Sequence, residues 1–166
     1  MGALLLLSMF SFGQKTPSFN KKYDSFDKST EYYGNVGTLG VFYKKQDGDN
    51  YSLPPQLSVT VYDTYLTYAS GVIFLFEDGT TLEFSTDEQL GDYSSKHKAY
   101  DYTVYAYPSD EEWVTLSEKK IIGVKVHIFK RTYKSGSNFK LLVKKLIILK
   151  KVQNKEVESE TTIKTN

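Results

Sequence analysis

GVIFLFEDGTTLEFS, residues 71 to 85, places Asp78-Gly79 between two apolar runs. Aspartate followed by glycine supplies the positive φ angles of a type I′ turn, so the segment reads as a β-hairpin. A two-residue turn pairs Glu77 with Thr80, Leu75 with Leu82 and Ile73 with Phe84. All the apolar partners then share one core-facing side, while Phe74 and Phe76 fall on the other beside Glu83 and Thr81.

Strand patterning extends to both sides of this hairpin. Upstream, Leu39, Val41 and Tyr43 alternate with Gly40, Phe42 and Lys44 across Thr38 to Lys45. Gln46-Asp47-Gly48-Asp49-Asn50 ends that strand, and Pro54-Pro55 delays the next until Leu57, from which Leu57, Val59 and Val61 share a face and the strand runs on towards Tyr68. Downstream, the polar connection DEQLGDYSSKHK leads into AYDYTVYAYP, closed by Pro108. Ser109 and Glu112 then form the S-x-x-E capping box of a short helix, with Trp113 and Leu116 on one side and Lys119-Lys120 at the end suiting the helix dipole. IIGVKVHIFKRTY returns to strand, with Ile122, Val124, Val126 and Ile128 alternating with Lys125, His127, Phe129 and Arg131. In NFKLLVKKLIILKKV, helical spacing groups Phe139, Leu142, Val143, Leu146 and Leu149, so this segment is expected to be a helix rather than a strand.

The expected fold is therefore α+β: a mainly antiparallel twisted sheet, open to sandwich-like closure, with one short helix and a C-terminal helix. A single β-rich domain is expected over residues 37–155, preceded by an irregular lead-in over 14–36 and followed by a polar, frayed tail over 156–166. The 14 Tyr and 10 Phe support the β assignment, because aromatic side chains fit pleated, half-buried surfaces.

Residues 1–13 read as a signal peptide. Ala3 to Phe10 is an apolar run too short to span a bilayer, and Ser11 and Gly13 are small residues at the −3 and −1 positions of a cleavage site before Gln14. The missing basic residue ahead of the run fits a start upstream of Met1; a buried N-terminal strand is the alternative reading. The segment resembles the compact signal peptides of bacterial envelope proteins with Gln after the cleavage site. That resemblance implies a secreted or periplasmic location. The order strand, capped helix, Ile-rich strand, loop and terminal helix resembles that of uncharacterised secreted bacterial β-rich proteins, in which an Asp-Gly hairpin precedes a segment like SDEEWVTLSEKKIIGVKV. The likeness spans roughly residues 57 to 152 and brings no catalytic residues with it.

Cysteine is absent, which excludes disulfides, thiolate metal sites and a thiol-linked lipid anchor. The two histidines, His97 and His127, are too few for a histidine metal centre, and no metal or cofactor is expected. Asp47-Gly48-Asp49-Asn50 lacks the spacing of an EF-hand and reads as a turn. Asp110, Glu111 and Glu112 are accounted for by the first turn of a helix. Ser94, His97 and Asp101 lack a nucleophile elbow or an oxyanion-hole turn, so no catalytic residue is assigned.

Two features point instead to binding. Tyr100, Tyr102, Tyr105 and Tyr107 crowd one strand, and exposed tyrosine rows stack on sugar rings or line protein interfaces. Charge is also segregated: Gln46 to Glu112 holds 13 acids and two lysines, a net of −11, whereas Lys119 to Lys155 holds 12 bases and no acid. Either the two stretches neutralise each other in the fold, or Lys140, Lys144 and Lys151 form a face for an anionic partner. The expected function is a non-catalytic binding or accessory module of the cell envelope with a glycan or protein ligand. The alternatives are a hydrolase built from scattered acids and His97, and a binder of anionic surfaces through the basic C-terminal region.

Overall fold

The computed structural model describes residues 17–46, 53–63, 71–85, 89–96, 98–126, 129–134 and 136–164. Among them the chain forms, in order, β1 (Asn20–Asp24), β2 (Ser29–Val36), β3 (Leu39–Gln46), β4 (Gln56–Asp63), β5 (Gly71–Phe76), β6 (Thr81–Ser85), β7 (Gln89–Ser94), β8 (Ala99–Ala106), α1 (Asp110–Glu118), β9 (Ile121–Val126), β10 (Phe129–Thr132) and α2 (Gly136–Lys164). One sheet has the order β1-β2-β3-β4-β8-β7 and the other β10-β9-β5-β6. Every pairing is antiparallel, and the sheet curls as a half-barrel, so the mainly antiparallel α+β class expected from the sequence is the one observed. The expected signal segment, the Asp47–Asn50 turn, the run beyond Asp63, and both histidines lie outside the described residues.

Period-two alternation sets the inner face of the larger sheet. Leu39, Val41 and Tyr43 of β3, Leu57, Val59 and Val61 of β4, and Tyr102, Val104 and Ala106 of β8 are all buried. They meet across the ladders, as in Leu39 opposite Val59 and Val59 opposite Val104. The smaller sheet adds Val72, Phe74, Phe76, Phe84, Ile121, Val124 and Val126 to the same core.

The decisive hairpin differs from expectation by one residue. The Gly79 N–H donates to Phe76 O at 3.0 Å and the Phe76 N–H to Thr80 O at 2.9 Å, so the loop is Glu77-Asp78-Gly79 with Gly79 at φ +82°. This is a three-residue turn with glycine at the left-handed position, not the two-residue type I′ turn. Val72 now faces Phe84 and Phe74 faces Leu82. A slip of one residue exchanges the faces of a strand. Phe74 and Phe76 are therefore fully buried, while Leu75 is 40% exposed.

Contacts outside the hairpin account for the choice of turn. The Glu77 N–H donates to Lys120 O at 2.9 Å, Lys120 Nζ pairs with Glu77 Oε1 at 2.7 Å, and Lys119 Nζ pairs with Asp78 Oδ2 at 2.8 Å. Lys119 and Lys120 thus clamp the turn of β5 and β6, where the sequence had suggested that they end α1 electrostatically. Lys119, together with the Thr80 N–H and hydroxyl, which both donate to Asp78 Oδ1, holds the Asp78 carboxyl well below the usual carboxylate range.

α1 forms as the sequence indicates. The Ser109 hydroxyl accepts the Glu112 N–H, the Glu112 carboxylate accepts the Ser109 N–H at 2.7 Å, and Trp113 and Leu116 are buried. The single strand expected over residues 121–133 is two strands, β9 and β10, paired antiparallel with Phe129 opposite Val126. A register shift between Leu75 and Phe76 sets Ile121 against Phe76, so Ile121 joins Val124 and Val126 inside instead of Ile122.

Three further expectations are corrected. The lead-in over 14–36 contains the hairpin β1–β2, whose turn is set by Asp24 accepting the Phe26 and Asp27 N–H groups, which lowers the Asp24 carboxyl below its ordinary value. Part of the polar connection after β6 is the edge strand β7, paired to β8. The tail is not frayed: helical backbone continues to Lys164.

α2 closes the core. Phe139, Leu142, Val143 and Leu146 are fully buried, as its helical spacing predicted. Burying a side chain of this kind contributes about 1.5–3 kcal/mol. Close approach depends on glycine: a Cβ on Gly34 of β2 would lie 2.7 Å from Leu142 Cδ1, and one on Gly136 would collide with the Ile121 carbonyl. The sheets are also tied at one end, where the Tyr133 hydroxyl accepts the Thr38 N–H at 2.9 Å and bonds the Thr38 hydroxyl.

Gly136→Ala is expected to lower stability by about 1–3 kcal/mol through overpacking against backbone, seen as a lower urea midpoint at unchanged m-value. A second expectation concerns acid. The folded Asp78 carboxyl titrates below its unfolded value of about 3.9, so the Lys119 clamp stabilises the fold above that pH and is lost as pH falls. Asp78→Asn should accordingly flatten the fall of the urea midpoint between about pH 5 and 2 relative to the unaltered chain.

Candidate functional site

β8 divides its tyrosines between two faces. Tyr102 is buried in the core, and Tyr100 shares its side at the sheet end, with its ring 6.2 Å from Tyr102 and 5.3 Å from Tyr93. Tyr105 and Tyr107 lie on the outer face. The four tyrosines that the sequence crowds onto both faces of one strand thus divide into two inner residues and two outer ones.

The outer pair belongs to a larger surface assembled from other strands. Tyr33 of β2 is the cross-strand partner of Phe42 of β3, and Phe42 is the partner of Gln56 of β4. Gln56 Nε2 then donates to the Tyr107 hydroxyl at 2.9 Å. With strands about 4.8 Å apart, Tyr33, Phe42, Gln56 and Tyr107 form a row roughly 14 Å long. The adjacent row is Asn35, Gly40, Ser58 and Tyr105, again direct partners across the ladders.

Gly40 gives this second row its shape. A side chain there would collide with Ser58 Oγ and Asn35 Oδ1, so both polar groups lean over the bare backbone from opposite sides. The result is a polar floor flanked by aromatic rings. Tyr33 is 43% exposed and Tyr107 51% exposed, so both outer rings present large areas to solvent. Further along the face, the Thr60 and Thr103 hydroxyls are 3.0 Å apart.

The two rows carry no charged residue. The next row on this face holds Glu31 and Lys44, which lie 3.9 Å apart, and Lys44 pairs with Asp27 at 2.6 Å. Its bond to Asp27 raises the Lys44 ammonium above the ordinary lysine value. A charge engaged in this way contributes little field to the two rows beside it. Aromatic faces stack on apolar sugar faces while amides and hydroxyls bond their hydroxyls.

The basic residues separate into two sets. Lys119, Lys120 and Lys150 pair with Asp78, Glu77 and Asp110, and Lys145 Nζ donates to Pro17 O at 2.6 Å. These pairs bring part of the basic C-terminal stretch onto the acidic middle of the chain. Lys140, Lys144 and Lys151 share one side of α2 and have no ion pair among the described residues.

The acids considered for catalysis do not converge. Asp110 is held by Lys150 and Glu112 by the capping box. Asp101 faces Asp92 across β7 and β8, and Ser94 faces Ala99. Among the described residues no group of three His, Cys, Asp or Glu side chains is placed to hold a metal ion, and no helix is long and apolar enough to cross a membrane. Compared with known proteins, the chain matches no family model, no curated protein and no solved structure.

Tyr105 and Tyr107 stood out in the sequence; Tyr33 and Phe42 did not. Their signal was present in the alternation itself, since Phe42 sits out of phase with the buried Leu39, Val41 and Tyr43.

Proposed function

We propose that this protein is a non-catalytic binding module of the bacterial cell envelope whose ligand is a neutral glycan held on the outer face of the six-stranded sheet. The observation that carries the reading is the uncharged row Tyr33, Phe42, Gln56 and Tyr107, with Asn35 and Ser58 beside it. Flat aromatic area supplies affinity without the entropic cost of ordering long side chains. The amide and hydroxyls supply directional bonds to sugar hydroxyls. Export supports the setting: the apolar run of residues 3–10, followed by small residues and Gln14, reads as a signal cleaved between Gly13 and Gln14 to release a secreted or periplasmic chain.

A glycan array followed by calorimetric titration of the best neutral oligosaccharide tests this reading. Tyr107→Ala and Tyr33→Ala are each expected to weaken binding about five- to tenfold while leaving the far-ultraviolet circular dichroism unchanged. Lys144→Gln should leave the affinity as it is. Binding that survives both tyrosine substitutions, or that favours polyanions and vanishes with added salt, would overturn the assignment in favour of the basic side of α2.

A further inference from the structure

The two helices meet away from the sheet platform, and a groove of about 220 Å³ runs between them, lined by Asp110, Trp113, Val114, Leu146, Ile147, Lys150 and Lys151. Its wall is apolar, made of Trp113 and Val114 from α1 and Leu146 and Ile147 from α2. Its rim is charged and unbalanced. Lys150 Nζ is paired with Asp110 Oδ1 at 2.8 Å, which leaves the Lys151 ammonium as a net positive charge with no ion pair among the described residues.

A second observation at the same place concerns Trp113. The residue is only 2% exposed, and its Nε1 has no hydrogen-bond acceptor among the described residues. A buried indole N–H normally finds a partner, because an unmet donor carries the full desolvation penalty. Elsewhere in α1, Ser109 and Glu112 complete the capping box, and Asp110 meets Lys150. The N–H is closed to solvent, so Trp113 serves the groove through the apolar face of its ring.

We propose that this groove is a binding site for a small anionic amphiphile, with its hydrocarbon body against Trp113, Leu146 and Ile147 and its carboxylate at Lys151. An apolar wall alone would accept any hydrocarbon. The uncompensated ammonium selects against cationic head groups and favours a carboxylate over a neutral hydroxyl. The site shares no residue with the sheet platform and does not depend on the glycan assignment.

Trp113 is the chain's one tryptophan, so its emission reports the groove directly. The probe is octanoate, titrated below its micellar concentration into the full chain. A saturable change in Trp113 fluorescence is expected, with octanol and octyltrimethylammonium binding at least about tenfold more weakly. Lys151→Gln should weaken octanoate about tenfold, and Trp113→Phe, read by calorimetry, about fivefold through the lost ring area. Val114→Trp fills the groove from an exposed position and should abolish binding without touching the core, which keeps the test decisive should Trp113→Phe fail to fold. Absence of saturable binding by both methods overturns the proposal. Equal affinity for octanoate, octanol and the cationic probe, or an unaltered affinity in Lys151→Gln, overturns it equally, because the groove would then be an unselective apolar surface.

Discussion

The apolar side of α2 is the surface on which both sheets complete their cores. The larger sheet brings β2 and β3 to it and the smaller brings β9, and the Tyr133–Thr38 contact adds a tie at one end. Phe139, Leu142, Val143 and Leu146 therefore bury area that belongs to three layers at once. The bare backbone of Gly34 and Gly136 allows that contact to be close, and close contact is what gives dispersion its weight in a packed interior. α1 then leans on α2 from the outside, fixed by Trp113 within and by the Lys150–Asp110 pair at the rim. The tyrosine platform lies on the far side of the larger sheet, away from α2.

Much of this was legible in the sequence where a local rule and the tertiary environment agree. The alternation of β3 and β4, the capping box of α1 and the helical stripe of α2 each follow from a spacing that only one environment satisfies. The Asp78-Gly79 hairpin shows where such reading stops. A two-residue turn and a three-residue turn with a glycine bulge both place Gly79 at positive φ, so the dipeptide fits either. What separates them is the position of Lys119, Lys120 and β9, some forty residues away in the chain. β1 and β7 were missed for a related reason. NKKYD and QLGDYS are polar edge strands whose backbone pairing, rather than an apolar stripe, holds them in place.

The candidate site was half legible in the same sense. Tyr105 and Tyr107 announce themselves by local density, but a platform is a property of strand order. Tyr33 and Phe42 join it because β2, β3, β4 and β8 lie side by side, although β4 and β8 are separated by a long excursion through the smaller sheet. Tyr100 and Tyr102 leave it because alternate residues of a strand point to opposite sides. The charge segregation resolves likewise: Lys119, Lys120 and Lys150 reach acids of the middle segment, and Lys140, Lys144 and Lys151 do not.

The topology also governs how the chain can acquire its structure. β4 must wait for β8, and β5 for β9, so each sheet is closed by a strand made long after its neighbour. Such non-local pairings pay loop-closure entropy before they gain stabilising contacts, which slows folding. The element that seals both sheets, α2, follows all ten described strands in the chain. A nascent chain ending before Leu146 therefore exposes the inner sides of two unfinished sheets. Completion of the core waits on α2, which makes loss of that helix hazardous for the whole domain.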